Sequence, residues 1–138
     1  MKFAPTGLMA ITALALAGCT EEADDTRVDV FRGKALYQSQ CAACHGPNGE
    51  GAGAASLGLG GPPPSLVTLS AQNGGVFPRD YVLGVIDGLE RHNSPDAAMP
   101  EFGAGDMGPL ILVEEDGLAT PIPAEMLALA TYLESIQQ

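Results

Sequence analysis

The chain has 138 residues, which suits one domain rather than two. At 46% hydrophobic and 17% charged residues, it is too apolar to be a disordered chain. Seventeen acidic residues against six basic ones give a net charge of −11, which argues against a nucleic-acid-binding role and favours positively charged partners.

The N-terminus runs Met1-Lys2-Phe3, then an apolar stretch from Leu8 to Ala17, then Gly18-Cys19. One basic residue, a short apolar run and small residues at its end make a secretory signal, too short to span a bilayer. Ala15-Leu16-Ala17 fits the small-x-small rule of ordinary cleavage. Leu16-Ala17-Gly18-Cys19 resembles the bacterial lipoprotein box, where cleavage precedes a cysteine that becomes lipidated. The expectation is a lipoprotein signal over residues 1–18 and a lipid anchor on Cys19, which would hold the protein to a membrane on its periplasmic side. Residues 19–27 carry Glu21, Glu22, Asp24 and Asp25 without apolar periodicity and read as an acidic tether.

The folded domain is expected over residues 28–138. Asp29 suits an N-cap, and Val30, Gly33, Leu36, Tyr37 and Gln40 form a stripe at helical spacing that ends at Cys41. Residues 46–61 are rich in Gly and Ala, with Asn48-Gly49 as a turn signal, and read as a loop. Gly49, Gly51 and Gly53 have no strand before them and no Lys-Ser/Thr after them, so they do not make a phosphate cradle. Pro62-Pro63-Pro64 imposes an extended segment. A helix is predicted from Pro78 to Asp87, with Val82, Val85, Ile86 and Leu89 on one face and Gly88 as a left-handed stop. A long loop follows, with His92, Pro95, Met99 and Phe102. Leu110 to Val113 reads as a short strand, and Glu115-Asp116-Gly117 as a turn closing a small hairpin. Pro123 opens a last helix, on which Met126, Leu129, Ala130, Leu133 and Ile136 recur at intervals of three and four. Three or more helices linked by long loops imply an all-α domain with little sheet.

Cys41-Ala42-Ala43-Cys44-His45 carries the chemistry, because it is the attachment pattern of haem c. Two thiols three residues apart on a helical turn face one side and can reach both vinyl groups of one porphyrin. The residue after the second cysteine is then held under the ring, which makes His45 the proximal iron ligand. A redox disulfide would call for a strand–helix context, a zinc site for a second cysteine pair, and a structural disulfide for no histidine at all. The cysteine count closes as well, with Cys41 and Cys44 taken by haem and Cys19 by lipid.

Iron that shuttles electrons needs a sixth ligand. Outside the signal the methionines are Met99, Met107 and Met126, and Met126 lies on the apolar stripe of the last helix. Met99 precedes Pro100, which keeps it extended, and follows two alanines that allow close approach to a ring. Met107 sits among glycines in a loop. Met99 is favoured over Met107, and His92 is third.

Around this motif the sequence resembles the class I cytochrome c family over residues 28–138. Gly33 and Tyr37 look like the family's glycine and aromatic on the first helix. Leu129-Ala130-Thr131-Tyr132-Leu133 looks like its signature on the last helix. The resemblance implies a cytochrome c fold wrapped around one covalent haem, in which those two helices cross where the glycine lets the backbones touch. Pro64-Ser65-Leu66 is similar to the segment whose proline carbonyl supports the proximal histidine, which assigns that role to Pro64. Met99-Pro100-Glu101-Phe102 looks like the axial-methionine loop and strengthens the choice of Met99. The stretch from Gly103 to Ile122 is longer than the family's usual link.

A monohaem c-type cytochrome is therefore expected, carrying single electrons between redox partners outside the cytoplasm, those partners presenting basic docking surfaces. Leu36, Leu66, Val82, Ile86 and Phe102 are expected around the ring, where they exclude water. A haem c subunit of a larger oxidoreductase is the alternative, and an open-site haem peroxidase or ligand sensor is a further one. Ligation by Met99 would separate a closed electron carrier from an open-site enzyme.

Overall fold

The computed structural model describes residues 25–59, 61–90 and 99–138. The expected signal, residues 19–24 of the tether with Cys19, and His92 lie outside the described residues. Helix α1 (Val30–Gln40) starts where expected, because Asp29 is extended and its carboxylate accepts a 2.8 Å hydrogen bond from the Arg32 amide. That bond, with the Arg27 guanidinium beside it, holds the Asp29 carboxyl below its ordinary pKa. After Cys41 the chain makes one more turn, α2 (Ala42–His45), which stops at Gly46 with φ +79°. A short α3 (Leu69–Gln72) follows the proline-rich segment, and α4 (Arg79–Asp87) ends at Gly88 in the left-handed conformation.

Strands β1 (Leu110–Glu115) and β2 (Leu118–Pro123) form an antiparallel hairpin in which Leu110 faces Pro123 and Glu115 faces Leu118. Asp116 and Gly117, at φ +50° and +79°, make the tight turn that matches the twist of such strands. The last helix, α5 (Ala124–Ser135), starts directly from β2. Its first free amides are taken by the preceding loop: Ala124 N–H donates to the Pro109 carbonyl and Glu125 N–H to that of Met107. Among the described residues no helix is long and apolar enough to cross a membrane.

The core lies between α1, α4 and α5. Helices α1 and α5 cross at Gly33, where a Cβ would stand 1.9 Å from the Ala128 carbonyl oxygen and 2.7 Å from the Tyr132 Cβ. One turn on, the Tyr37 and Tyr132 rings pack with centroids 5.2 Å apart. The crossing thus has the form that the resemblance implied. Helix α5 is buried almost all round, with Ala124 and Met126 to Ala130 enclosed, not only the expected stripe.

Two expectations are corrected. Of the α1 stripe only Gly33, Leu36 and Tyr37 are buried, and Val30 and Gln40 face solvent. Leu89 is 82% exposed because the left-handed Gly88 turns the chain off the helix before it, and Leu83 takes the buried place. Met107 does lie in a loop between Gly105 and Gly108, as expected, and its side chain is enclosed in the core at 6% exposure.

Candidate haem-binding site

Cys41, Cys44 and His45 sit on one turn at the end of α1. The amides of Cys44 and His45 both donate to the Cys41 carbonyl, at 3.1 and 2.9 Å, which puts both thiols on one side of the chain. The thiols are half-buried and unbonded to each other. Burial, and secondarily Cys44, pushes the Cys41 thiol up to about 11. A thiol raised in this way carries little thiolate at neutral pH, which does not favour Cys41 as the attacking group in disulfide exchange. No group of three or more His, Cys, Asp or Glu gathers as a bare metal ion would require, among the described residues.

The Nδ1 of His45 is 3.4 Å from the Pro64 carbonyl oxygen, at the long end of hydrogen-bonding range. A bond donated there fixes the tautomer with Nε2 as the nitrogen for a metal. Two further contacts hold this arrangement. The glycine-rich loop folds back onto the motif, with Gly51 N–H donating to the His45 carbonyl at 2.8 Å and Gly53 N–H to that of Cys44 at 2.9 Å. Side chains do not fit there: a Cβ at Gly53 would be 2.3 Å from the Ala43 carbonyl oxygen, and one at Gly51, where φ is +88°, would be 2.9 Å from that of Pro63.

The second contact is Gln137, which the sequence pattern did not single out. Its side-chain amide donates to the Leu66 carbonyl at 2.8 Å and its oxygen accepts from the Ser70 amide at 2.9 Å. The C-terminus thereby pins residues 66–70, just beyond Pro64. A terminal glutamine has no motif around it, so only the fold reveals it.

Of the methionines, Met99 is half-buried and packs against the core, as Phe102 does. Phe102 begins a 3-10 turn (Phe102–Ala104) that lies on the end of α4, where Gly103 meets the Asp87 carboxylate too closely to admit a Cβ. Met107 is enclosed, and its carbonyl is committed to the first turn of α5. Met126 is a core residue, 3% exposed.

The residues fit the group that the motif implies. Half-buried apolar side chains, Leu66, Leu69, Phe77, Met99 and Phe102, border the same core as Cys41 without being enclosed by protein, and the motif supplies two unbonded thiols and an oriented imidazole. Cys41 and Cys44 would hold haem covalently and His45 would ligate its iron. Bound there, haem supplies a one-electron iron couple.

The model of the family described as Cytochrome c matches residues 30–137. No curated protein and no solved structure gives a significant match. Five α-helices among the described residues, the crossing at Gly33 and a haem c attachment motif agree with that match, and a small two-stranded sheet is added to them. The chain belongs to the cytochrome c family, with a haem c cofactor and an electron-carrying role.

Proposed function

We propose that the protein carries one haem, attached through Cys41 and Cys44 and ligated by His45 and Met99, and passes single electrons between redox partners outside the cytoplasm. A lipid on Cys19 tethers it to a membrane. The observation that carries the haem assignment is the single turn bearing both thiols and His45, with the imidazole turned to the Pro64 carbonyl.

The chain's own residues act by orienting and by excluding water. Pro64 holds the imidazole plane, and the Gly51 and Gly53 amides hold the backbone that carries it. Leu66, Phe102 and the Met99 thioether form an apolar border, which favours the less charged reduced state and so raises the potential. His45 and Met99 would hold the iron, and the bound haem would supply a one-electron couple with the same protein donors in both oxidation states.

Partners with basic docking surfaces follow from charge. Arg27, Arg32 and Arg79 are each paired with a carboxylate, to Asp29, Glu125 and Glu134 respectively. Most of the acidic excess therefore stays uncompensated and attracts cationic surfaces over a distance set by the ionic strength.

The test is mass spectrometry of protein from its native host, with a visible spectrum of the same sample. The peptide spanning residues 41–45 should carry one haem, and the N-terminal peptide should begin at an acylated Cys19. An unmodified 41–45 peptide would overturn the haem assignment, and an unacylated N-terminus the tether. An oxidised protein that binds carbon monoxide or imidazole rapidly on reduction or mixing would favour the open-site enzyme over the carrier.

A further inference from the structure

The hairpin in the long stretch after Met99 has two unlike faces. Ile111, Val113 and Ile122 point inward and pack on the core. The opposite face is apolar and in solvent: Leu110 is 63% and Leu112 68% exposed, with Pro121 across from Leu112. At the tip, Leu118 is 69% exposed. Leu110 and Leu112, aligned on one face of a two-stranded ribbon and left mostly in water, gain little from that exposure, and such patches mark contact sites.

The surroundings say what kind of partner covers this face. Glu114 shares the outer face with Leu110 and Leu112, Glu115 follows it at the tip in the register of the other face, and Asp116 stands in the turn; all three are exposed, and none pairs with an Arg or Lys among the described residues. A second copy of the chain would bring like carboxylates together in a symmetric contact between two proteins of net charge −11. An anionic lipid surface would repel the same groups. Strand addition at the outer edge of β2 is also blocked, because Pro121 and Pro123 have no N–H to offer. What remains complementary is a protein surface with an apolar centre and a basic rim.

The position sets this contact apart from the haem-bearing turn. The hairpin is rooted at the start of α5, where Glu125 pairs with Arg32 on the first turn of α1 and Gly108 lies near Asp25. Cys41, Cys44 and His45 follow the other end of α1. A helix of that length separates its ends by about 16 Å. We propose that the outer face of the hairpin is an assembly surface, by which a partner subunit with an apolar, Lys/Arg-rimmed patch holds the domain while a different face exchanges electrons. This goes beyond the carrier reading and does not depend on which residue is the sixth ligand.

The test places the photo-crosslinking residue p-benzoyl-phenylalanine at position 112 of the full chain in its native host, with positions 110 and 76 as companions. Val76 is 67% exposed on a separate loop. Illumination should give one dominant protein adduct from 112 and 110 and not from 76, mapping next to Lys or Arg on the partner. Glu114→Lys with Glu115→Lys should lower the yield by about fivefold or more while leaving the haem spectrum unchanged. An adduct with a second copy, with lipid or with many proteins would overturn the proposal. So would no adduct from either hairpin position, an equal adduct from position 76, or a yield indifferent to the charge reversal.

Discussion

The Tyr37 hydroxyl donates a 2.6 Å hydrogen bond to the carbonyl of Gly46, the residue directly after His45. A buried side chain of α1 thus holds the end of the haem-bearing turn, and the same ring packs on Tyr132 of α5. Burial pushes the Tyr37 phenol up to about 12, with Cys41 a smaller contributor, and burial raises Tyr132 as well.

Alkaline sensitivity follows from that relationship. Below the phenol's ordinary pKa both folded and unfolded chains keep the proton and stability is unaffected. Between about 10 and 12 the unfolded chain loses it first, so stability falls as pH rises through that window. Tyr37→Phe should lower stability at neutral pH by about 1 kcal/mol, through loss of the hydrogen bond, and should lose less of it between pH 10 and 12. Thermal melts of both proteins across that range check this, and parallel pH curves would count against it.

The helix crossing gives a sterically sharper expectation. Gly33→Ala drives a methyl group into the Ala128 carbonyl, a backbone atom with no rotamer to escape into. The cost should be about 2 to 3 kcal/mol, as for other overpacked sites, and Gly33→Val should abolish stable folding. Lys34→Ala, one residue along on the exposed face, should change stability by less than about 0.5 kcal/mol. Denaturant titrations would show the contrast.

How far the sequence exposed these arrangements depends on what each one needs. Local signals carried well: Asp29 as a cap, Gly88 as a stop, Glu115-Asp116-Gly117 as a turn, and the Cys41–His45 motif each act through near neighbours in the chain. Features set by distant contacts did not. Leu89 continues the α4 period on paper, but the left-handed turn before it decides its fate. Gly51 and Gly53 look like loop filler until their amides are found on the carbonyls of His45 and Cys44. Gln137 and the burial of Met107 depend on α5 docking against loops far away in sequence.

The two loop methionines should separate by experiment. Met107→Ala removes an enclosed side chain and should cost about 2 to 5 kcal/mol, leaving the sulfur-to-iron charge-transfer band of the oxidised protein in place. Met99→Ala, at the half-buried core edge, should remove that band with a smaller loss of stability. A band lost with Met107 and kept without Met99 would reverse the ligand assignment.

Gln137 should matter beyond its size. Its amide makes three hydrogen bonds, to the Leu66 and Leu133 carbonyls and from the Ser70 amide. Gln137→Ala should cost about 1 to 3 kcal/mol and loosen the segment behind Pro64, whereas Gln137→Glu, which cannot donate to Leu66, should fall between the two. Because Pro64 faces His45, the reduction potential should shift in Gln137→Ala. A variant destabilised but unchanged in potential would confine Gln137 to the scaffold.

The last expectation concerns the chain without haem. The apolar residues at the edge of the core, Leu66, Phe77, Met99 and Phe102, are only half covered by protein, and Cys41 borders the same core. A domain of roughly 110 residues leaves a small margin of stability, and a ring missing from its centre removes much of the apolar contact that supplies it. Cys41→Ser with Cys44→Ser, produced without haem attachment, should keep some α-helix by far-ultraviolet circular dichroism yet melt without a cooperative transition. The crossing of α1 and α5 sets the limit of this expectation, since Gly33, Tyr37, Ala128 and Tyr132 pack without help from the ring. Amide exchange should therefore find its strongest remaining protection there and its weakest in residues 46–66. A sharp, native-like melt of the haem-free variant would mean that the protein core alone suffices.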